Sequence, residues 1–188
     1  MATRDPAAKR RQLLEAALTE FAAHGIAGAR MDRIATRAKC SAGLVYTYFG
    51  SKDDLFDAVF DAIVERTLAE TPITPEDLPE YAGKLFDAQQ RYPEVPRIAT
   101  WYRLEREASG RTIQAISASG KAKVAAIRAA QEAGTISGRF DPEQLLLLLL
   151  TLSSLWSTQT VENVELASDD YAYRRKTITD AVRRLVAP

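Results

Sequence analysis

A single cysteine, Cys40, rules out a disulfide within this chain of 188 residues and fits a reducing compartment. A single histidine, His24, provides neither a cluster of metal-binding imidazoles nor the two Glu-x-x-His pairs of a carboxylate-bridged di-iron bundle. No serine or cysteine has a histidine placed to act as its base, so an enzyme is not expected, and no catalytic residue, metal or cofactor is assigned. A membrane helix needs about 20 apolar residues. The greasiest stretch, QLLLLLLTLSSLWST from Gln144, is too short and is interrupted by Ser153 and Ser154. The first residues are polar and of mixed charge, without the apolar segment of a signal peptide, so a cytoplasmic location is expected. Alternating β-branched runs are missing too, which excludes a sheet protein.

What remains is helical. Hydrophobic residues make up 46 % of the chain, ample for a packed core, and the eight prolines and nine glycines fall mainly between periodic segments. The expected class is all-α with about nine helices. Residues 7–24 form the first, with Leu14, Ala17, Leu18 and Phe21 inward, Gly25 as its C-cap and His24 in its last turn. Ser51 and Asp54 open a fourth helix that runs on to Pro72 and is apolar enough to touch two cores. Thr74 with Pro75 opens a fifth, and Pro93 and Pro96 delimit a sixth that clusters Ile98, Trp101, Tyr102 and Leu104. A seventh runs from Thr112 to Gly134. Asp141, Pro142 and Gln144 start an eighth, and a ninth begins near Ser168.

Residues 31–52, MDRIATRAKCSAGLVYTYFGSK, organise the rest. Met31, Ile34, Ala35 and Ala38 give one apolar face, Lys39 and Cys40 make a break, and Ser41 caps the next helix. Val45 and Phe49 point inward with Cys40. Small residues and hydroxyls then fall on the other faces, flanked by lysines, which suits entry into a DNA major groove. Charge supports this: residues 1–52 carry nine Lys or Arg against four acids, a net +5, and residues 53–188 carry the balancing −5.

The order of residues in this stretch closely resembles the DNA-binding signature of the TetR family of transcriptional repressors. The resemblance is carried by Ile34, Ala35, Ala38, Ser41, Gly43, Tyr46, Tyr48, Phe49, Ser51, Lys52 and Leu55, and extends back through Leu13, Leu14, Ala16, Ala17, Phe21 and Gly25. It covers roughly the first third of the chain. Four positions depart from the pattern: Arg30 stands where a Thr often caps the second helix, Lys39 replaces a common turn Gly, Ala42 a frequent Lys, and Leu44 a small polar residue.

The resemblance implies a three-helix DNA-binding domain over residues 1–52 and an effector-binding and dimerisation domain over residues 53–188. The DNA-contact candidates are Arg30, Arg33, Lys39, Ser41, Ala42, Gly43, Leu44, Tyr46, Thr47, Tyr48 and Lys52. Ala42, Leu44 and Thr47 face base edges, the tyrosines and lysines face phosphates, and Tyr48 is equally a core residue by position. The family's small-molecule pocket maps onto Phe60, Ile63, Val64, Tyr81, Phe86, Trp101, Tyr102, Leu152 and Trp156, although aromatics at these spacings also read as plain core. Arg103 and Glu105 either orient a ligand's polar group or pair on the surface.

A helix apolar on every side must be covered on every side. The dimer candidates are therefore Leu146, Leu149, Leu150, Ser153 and Trp156, joined by Ile178, Val182 and Leu185 of the last helix. The expected protein is a homodimeric repressor on a near-palindromic operator, released by a small molecule. Its rivals are a TetR-like activator and a helical adaptor with a vestigial helix-turn-helix.

Overall fold

The computed structural model describes residues 5–106, 113–157 and 169–187. Among them are nine α-helices, one short 3-10 turn and no strand, which makes the class all-α as expected. The chain divides into two compact units. Unit 1 comprises Met1–Arg66 and Arg97–Ile116, and unit 2 comprises Thr67–Pro96 and Ser117–Pro188.

In unit 1, α1 spans Pro6–Gly28. Asp5 accepts a hydrogen bond from the Ala7 amide at 2.9 Å, and Pro6 sits where a helix needs no amide proton. Leu13, Ala17 and Phe21 form its fully buried stripe. The regular helix stops at Gly25 (φ 69°, ψ −174°), a backbone conformation open essentially to glycine, and one further turn follows. Helix α2, Met31–Arg37, buries Met31, Ile34 and Ala35. Lys39 turns the chain with φ 50°, and Ser41 caps α3, Ala42–Phe49, by accepting from the Leu44 amide. Val45 is fully buried as expected, whereas Phe49 is only half-buried, its ring lying 5.4 Å below the Arg10 guanidinium.

Helix α4 spans Lys52–Glu70, and the Ser51 hydroxyl accepts from the Asp54 amide at 3.0 Å. Its Phe56 packs edge-on against Phe21 at 5.1 Å and beside Phe60 at the same separation, so α1 and α4 share one aromatic core. Residues 97–106 of α6, Glu94–Arg106, complete this unit, with Tyr102 5.4 Å from Phe60. Ile98 is fully buried, but Leu104 is 70 % exposed and does not join the cluster its spacing suggested. Trp101 and Glu105 turn instead towards α1.

Unit 2 is built on α5, Leu78–Arg91, and α9, Tyr171–Val186. Thr74 does not open α5. Residues Pro75–Asp77 form a 3-10 turn, and Asp77, a stronger acceptor than a threonine hydroxyl, takes the Glu80 amide at 3.1 Å. Tyr81, Ala82 and Phe86 meet Ile178 and Val182 of α9, Ile127 of α7 (Gln114–Glu132), and Leu145 and Leu149 of α8 (Pro142–Ser153). Arg175 locks the two long helices, donating to Glu80 at 2.7 Å and Asp87 at 3.0 Å across Gly83, where a methyl group would come within 3.0 Å of the guanidinium. These carboxylates raise its pKa above the ordinary value. The expected Asp141 side-chain cap on α8 is not made; the backbone closes that turn, the Leu145 amide donating to the Asp141 carbonyl at 2.9 Å. The expected start of α9 near Ser168 lies outside the described residues, and Asp170 supplies its cap.

Two outcomes follow. Gly25→Ala forces a side chain into a disfavoured φ and places its Cβ 2.4 Å from Glu105 Oε1 and 2.8 Å from the Trp101 ring. We expect a loss of about 2–4 kcal/mol, read by urea unfolding. Tyr81 is fully buried with its hydroxyl lacking a hydrogen-bond partner, and burial pushes its pKa up to about 12 from the ordinary 10. The unfolded chain loses that proton near pH 10, whereas the folded chain keeps it to about pH 12. The stability it contributes is therefore complete below pH 10 and lost as the pH climbs to 12. Tyr81→Phe should flatten that part of the alkaline unfolding slope and leave stability at neutral pH unchanged or higher.

Candidate nucleic-acid interface

The helix-turn-helix consists of α2, seven residues, and α3, eight residues. The first four amides and last four carbonyls of any helix lack partners within it, so helices this short are mostly ends. Side chains from elsewhere in unit 1 serve the flanks of α2, while α3 is closed by its own cap, Ser41, and by the Gly50 amide donating to the Tyr46 carbonyl. Arg30 offers no side-chain cap to α2. Instead the carboxylate of Glu20, 2 % exposed on α1, accepts the Arg30 amide at 3.1 Å and the Arg33 Nε at 2.7 Å. Lys9 Nζ donates to the Ala38 carbonyl at the other end of α2, at 2.6 Å. Lys52 Nζ donates to the carbonyls of Ala27 and Ala29, at 3.2 and 3.3 Å. A cation at a helix C-terminus and a carboxylate at an N-terminus both match the helix dipole.

The same logic applies behind α2. Glu105 Oε2 accepts the amides of Ile26 and Ala27, at 2.8 and 2.9 Å, where Gly25 interrupts α1. Trp101 Nε1 donates to the Ala22 carbonyl at 3.2 Å. Glu105 thereby caps a broken helix.

These contacts leave one face of α3 outward. Gly43, Tyr46 and Thr47 are exposed, and Ala42, Leu44 and Tyr48 are half-buried beside them. Thr47 returns its hydroxyl to the Gly43 carbonyl at 2.9 Å, a bond a hydroxyl readily exchanges for a partner on DNA. Ser41, exposed, has its oxygen in the cap. Leu44, Tyr48, Lys39 and Cys40 line a groove of about 770 Å³ with Lys9 and Gln12 of α1. Lys39 itself is exposed. Arg30 lies in a bidentate pair with Asp32, at 2.6 and 3.0 Å, which raises the arginine's pKa and lowers that of the aspartate. Arg33 also reaches the Gly28 carbonyl at 2.8 Å. Arg30, Arg33 and Lys52 thus reach a phosphate only by exchanging or sharing these partners.

The other candidate residues fall in both units. Phe60 and Ile63 are buried and Val64, Trp101 and Tyr102 half-buried in unit 1, while Tyr81 and Phe86 are buried and Leu152 and Trp156 half-buried in unit 2. Of the dimer candidates, Leu146, Leu149, Ser153, Ile178 and Val182 are covered within a single chain. Leu150 is exposed and Leu185 half-buried. Among described residues 142–157, the large apolar side chains left outward are Leu147, Leu150 and Leu155.

Sequence reasoning missed Glu20, Lys9, Trp101 and Glu105 as parts of this site. Glu20 carried a signal, a carboxylate on the apolar stripe between Ala17 and Phe21. The α6 residues carried none, since their partners lie far away in sequence.

Comparison with known proteins gives consistent matches. Residues 13–59 match the family described as "Bacterial regulatory proteins, tetR family", and residues 77–184 match "Tetracyclin repressor-like, C-terminal domain". The chain is 37 % identical over 155 residues to the HTH-type transcriptional repressor SCO4008 of Streptomyces coelicolor, covering 82 % of this chain and 81 % of that protein. It is 32 % identical over 138 residues to the HTH-type transcriptional repressor NicS of Pseudomonas putida, covering 70 % of this chain and 65 % of that one. The crystal structure of SCO4942, described as a transcriptional regulator from Streptomyces coelicolor, superposes with a TM-score of 0.82 at 34 % identity, over 95 % of this chain and 98 % of that one.

Glu20→Ala removes the acceptor that holds the start of α2 and leaves Arg33 without its carboxylate. We expect a loss of about 2–4 kcal/mol in thermal unfolding. His24, on the same helix and 3.9 Å from Glu20, is exposed, and His24→Ala should change stability by less than about 1 kcal/mol.

Proposed function

The chain belongs to the TetR family of bacterial transcriptional regulators, and on that premise we propose that it is a repressor whose dimer holds a near-palindromic operator until a small molecule binds. The observation that carries this reading is the outward face of α3. Gly43, Tyr46 and Thr47 are exposed on a helix capped by Ser41 and preceded by a turn that Lys9 holds at the Ala38 carbonyl. Gly43 admits close approach of a strand, Thr47 and Ala42 suit base edges and thymine methyl groups, and the tyrosine hydroxyls suit phosphates. Lys39, Arg30 and Arg33, exposed, and Lys52, half-buried, add positive charge within unit 1. Residues 1–52 make the DNA contacts, within a compact unit that also includes the first part of α4 and residues 97–106. The repressor sense follows the two relatives named repressors.

Residues 53–188 carry the effector and dimer functions. Leu147, Leu150 and Leu155, exposed in one chain, are the apolar surface a second copy would cover. Aromatic side chains among the pocket candidates, Tyr102, Phe86 and Trp156 included, suit an effector with an apolar body. Binding that favours a conformer with altered spacing of the two α3 helices, at a coupling of about 1–3 kcal/mol, changes operator affinity by roughly 5–150-fold. No helix among the described residues is long and apolar enough to cross a membrane. The place of action proposed is the cytoplasm, on double-stranded DNA, with no cofactor or catalytic step.

The test is selection of bound fragments from random duplex DNA by the purified chain. We expect a two-fold-related consensus with half-sites about one helical turn apart. Tyr46→Ala and Thr47→Ala, both at exposed positions, should each weaken binding to that site by about 1–3 kcal/mol without lowering helix content. Recovery of unrelated sequences, with equal affinity for all of them, contradicts the proposal and favours an adaptor.

A further inference from the structure

Arg106 lies far outside the segment that matches the family's DNA-binding region, yet it is buried against it. It is 4 % exposed, and its guanidinium reaches the carboxylates of Asp53 and Asp57 and the Asp53 carbonyl, the last at 3.1 Å. The same group stacks 4.7 Å from the centre of the Phe56 ring, which packs edge-on against Phe21 of α1. A buried cation persists only where it is paired and hydrogen-bonded, and a planar fork between two carboxylates above an aromatic face meets that requirement.

The two aspartates matter because of where they stand. Asp53 follows Lys52 directly and is more than half exposed, and Asp57 is one helical turn further on. Acids in a first turn favour the helix dipole, but they also put negative charge where α4 begins, next to the lysine proposed to meet a phosphate. A phosphate that Lys52 reaches within the Debye length of Asp53, about 10 Å at ordinary salt, also senses the charge of that carboxylate.

We infer that Arg106 is a positioning residue for DNA binding: without touching DNA, it offsets the charge of Asp53 and Asp57 and holds them away from the operator backbone. This rests on the reading that the start of α4 faces DNA.

The experiment measures operator affinity of the full chain at about 50 mM and about 300 mM salt, since a purely electrostatic effect shrinks as salt rises. Arg106→Leu should lose about tenfold at low salt and less than about threefold at high salt. Adding Asp53→Asn and Asp57→Asn to that variant should restore affinity to within about threefold of wild type. Asparagine at both positions with Arg106 intact keeps the hydrogen-bond acceptors and should tighten binding about threefold at low salt. That variant decides the matter if Arg106→Leu does not fold. The inference is overturned if the loss in a folded Arg106→Leu is equal at both salts, if the triple variant stays as weak as the single, or if the double asparagine variant gains nothing. A wild-type chain that selects no DNA overturns the reading of the site, and the inference with it.

Discussion

Helices of seven and eight residues cannot satisfy their own ends, and the DNA-facing half of this protein is arranged around that constraint. More than half of the polar backbone groups in α2 must find partners outside it. Several find them in flanking backbone, Ile34 donating to the Arg30 carbonyl and Ala38, Lys39 and Cys40 donating to the carbonyls of Ile34, Thr36 and Ala35. Long charged side chains from other helices hold the flanks: Glu20 at Arg30, Lys9 at Ala38, Lys52 at Ala27 and Ala29. An apolar core alone would bury Ile34 and Val45 but would not fix how far each short helix turns about its own axis. The directional bonds to its ends do that, and the outward face of α3 inherits the result.

The constraint also explains why residues 97–106 belong to the same compact unit. Gly25 breaks α1 and exposes two fresh amides, which Glu105 takes up while Trp101 fills the space beneath the missing side chain. The absence of a Cβ at Gly25 and the presence of a carboxylate at Glu105 are two halves of one contact. Arg106 then joins α6 to the start of α4 over the Phe21 and Phe56 pair. The three residues connect α6 to both α1 and α4, and each connection ends on a backbone group, a paired charge or an aromatic face.

Much of the fold was legible because it depends on local pattern. Leu14, Ala17 and Phe21 of the expected stripe (Leu18 is only half-buried), the glycine at 25, the capping serine at 41 and the prolines between later helices each act within a few residues of themselves. Thr74 misled because two acceptors compete within four residues, and the carboxylate of Asp77 lies where the regular helix begins. The spacing that grouped Leu104 with Trp101 and Tyr102 could not tell that Trp101 turns to the Ala22 carbonyl of α1 while Leu104 stays 70 % exposed. In the leucine run, periodicity says that all faces are apolar but not which one the chain itself covers. Leu145, Leu146 and Leu149 went inward and Leu147 did not. The contacts of Glu105 and Arg106 span about 50 to 80 residues and have no local signature at all.

Side chains from outside α2 hold its two flanks in the free protein, and the rest of the interface depends on them. Amide hydrogen exchange on the unliganded full chain tests this directly at Arg30, whose amide donates to the Glu20 carboxylate. The account expects exchange slowed by about a thousandfold or more relative to an unstructured peptide, comparable with the middle of α1. Exchange within about tenfold of that peptide, with α1 still protected, would contradict it.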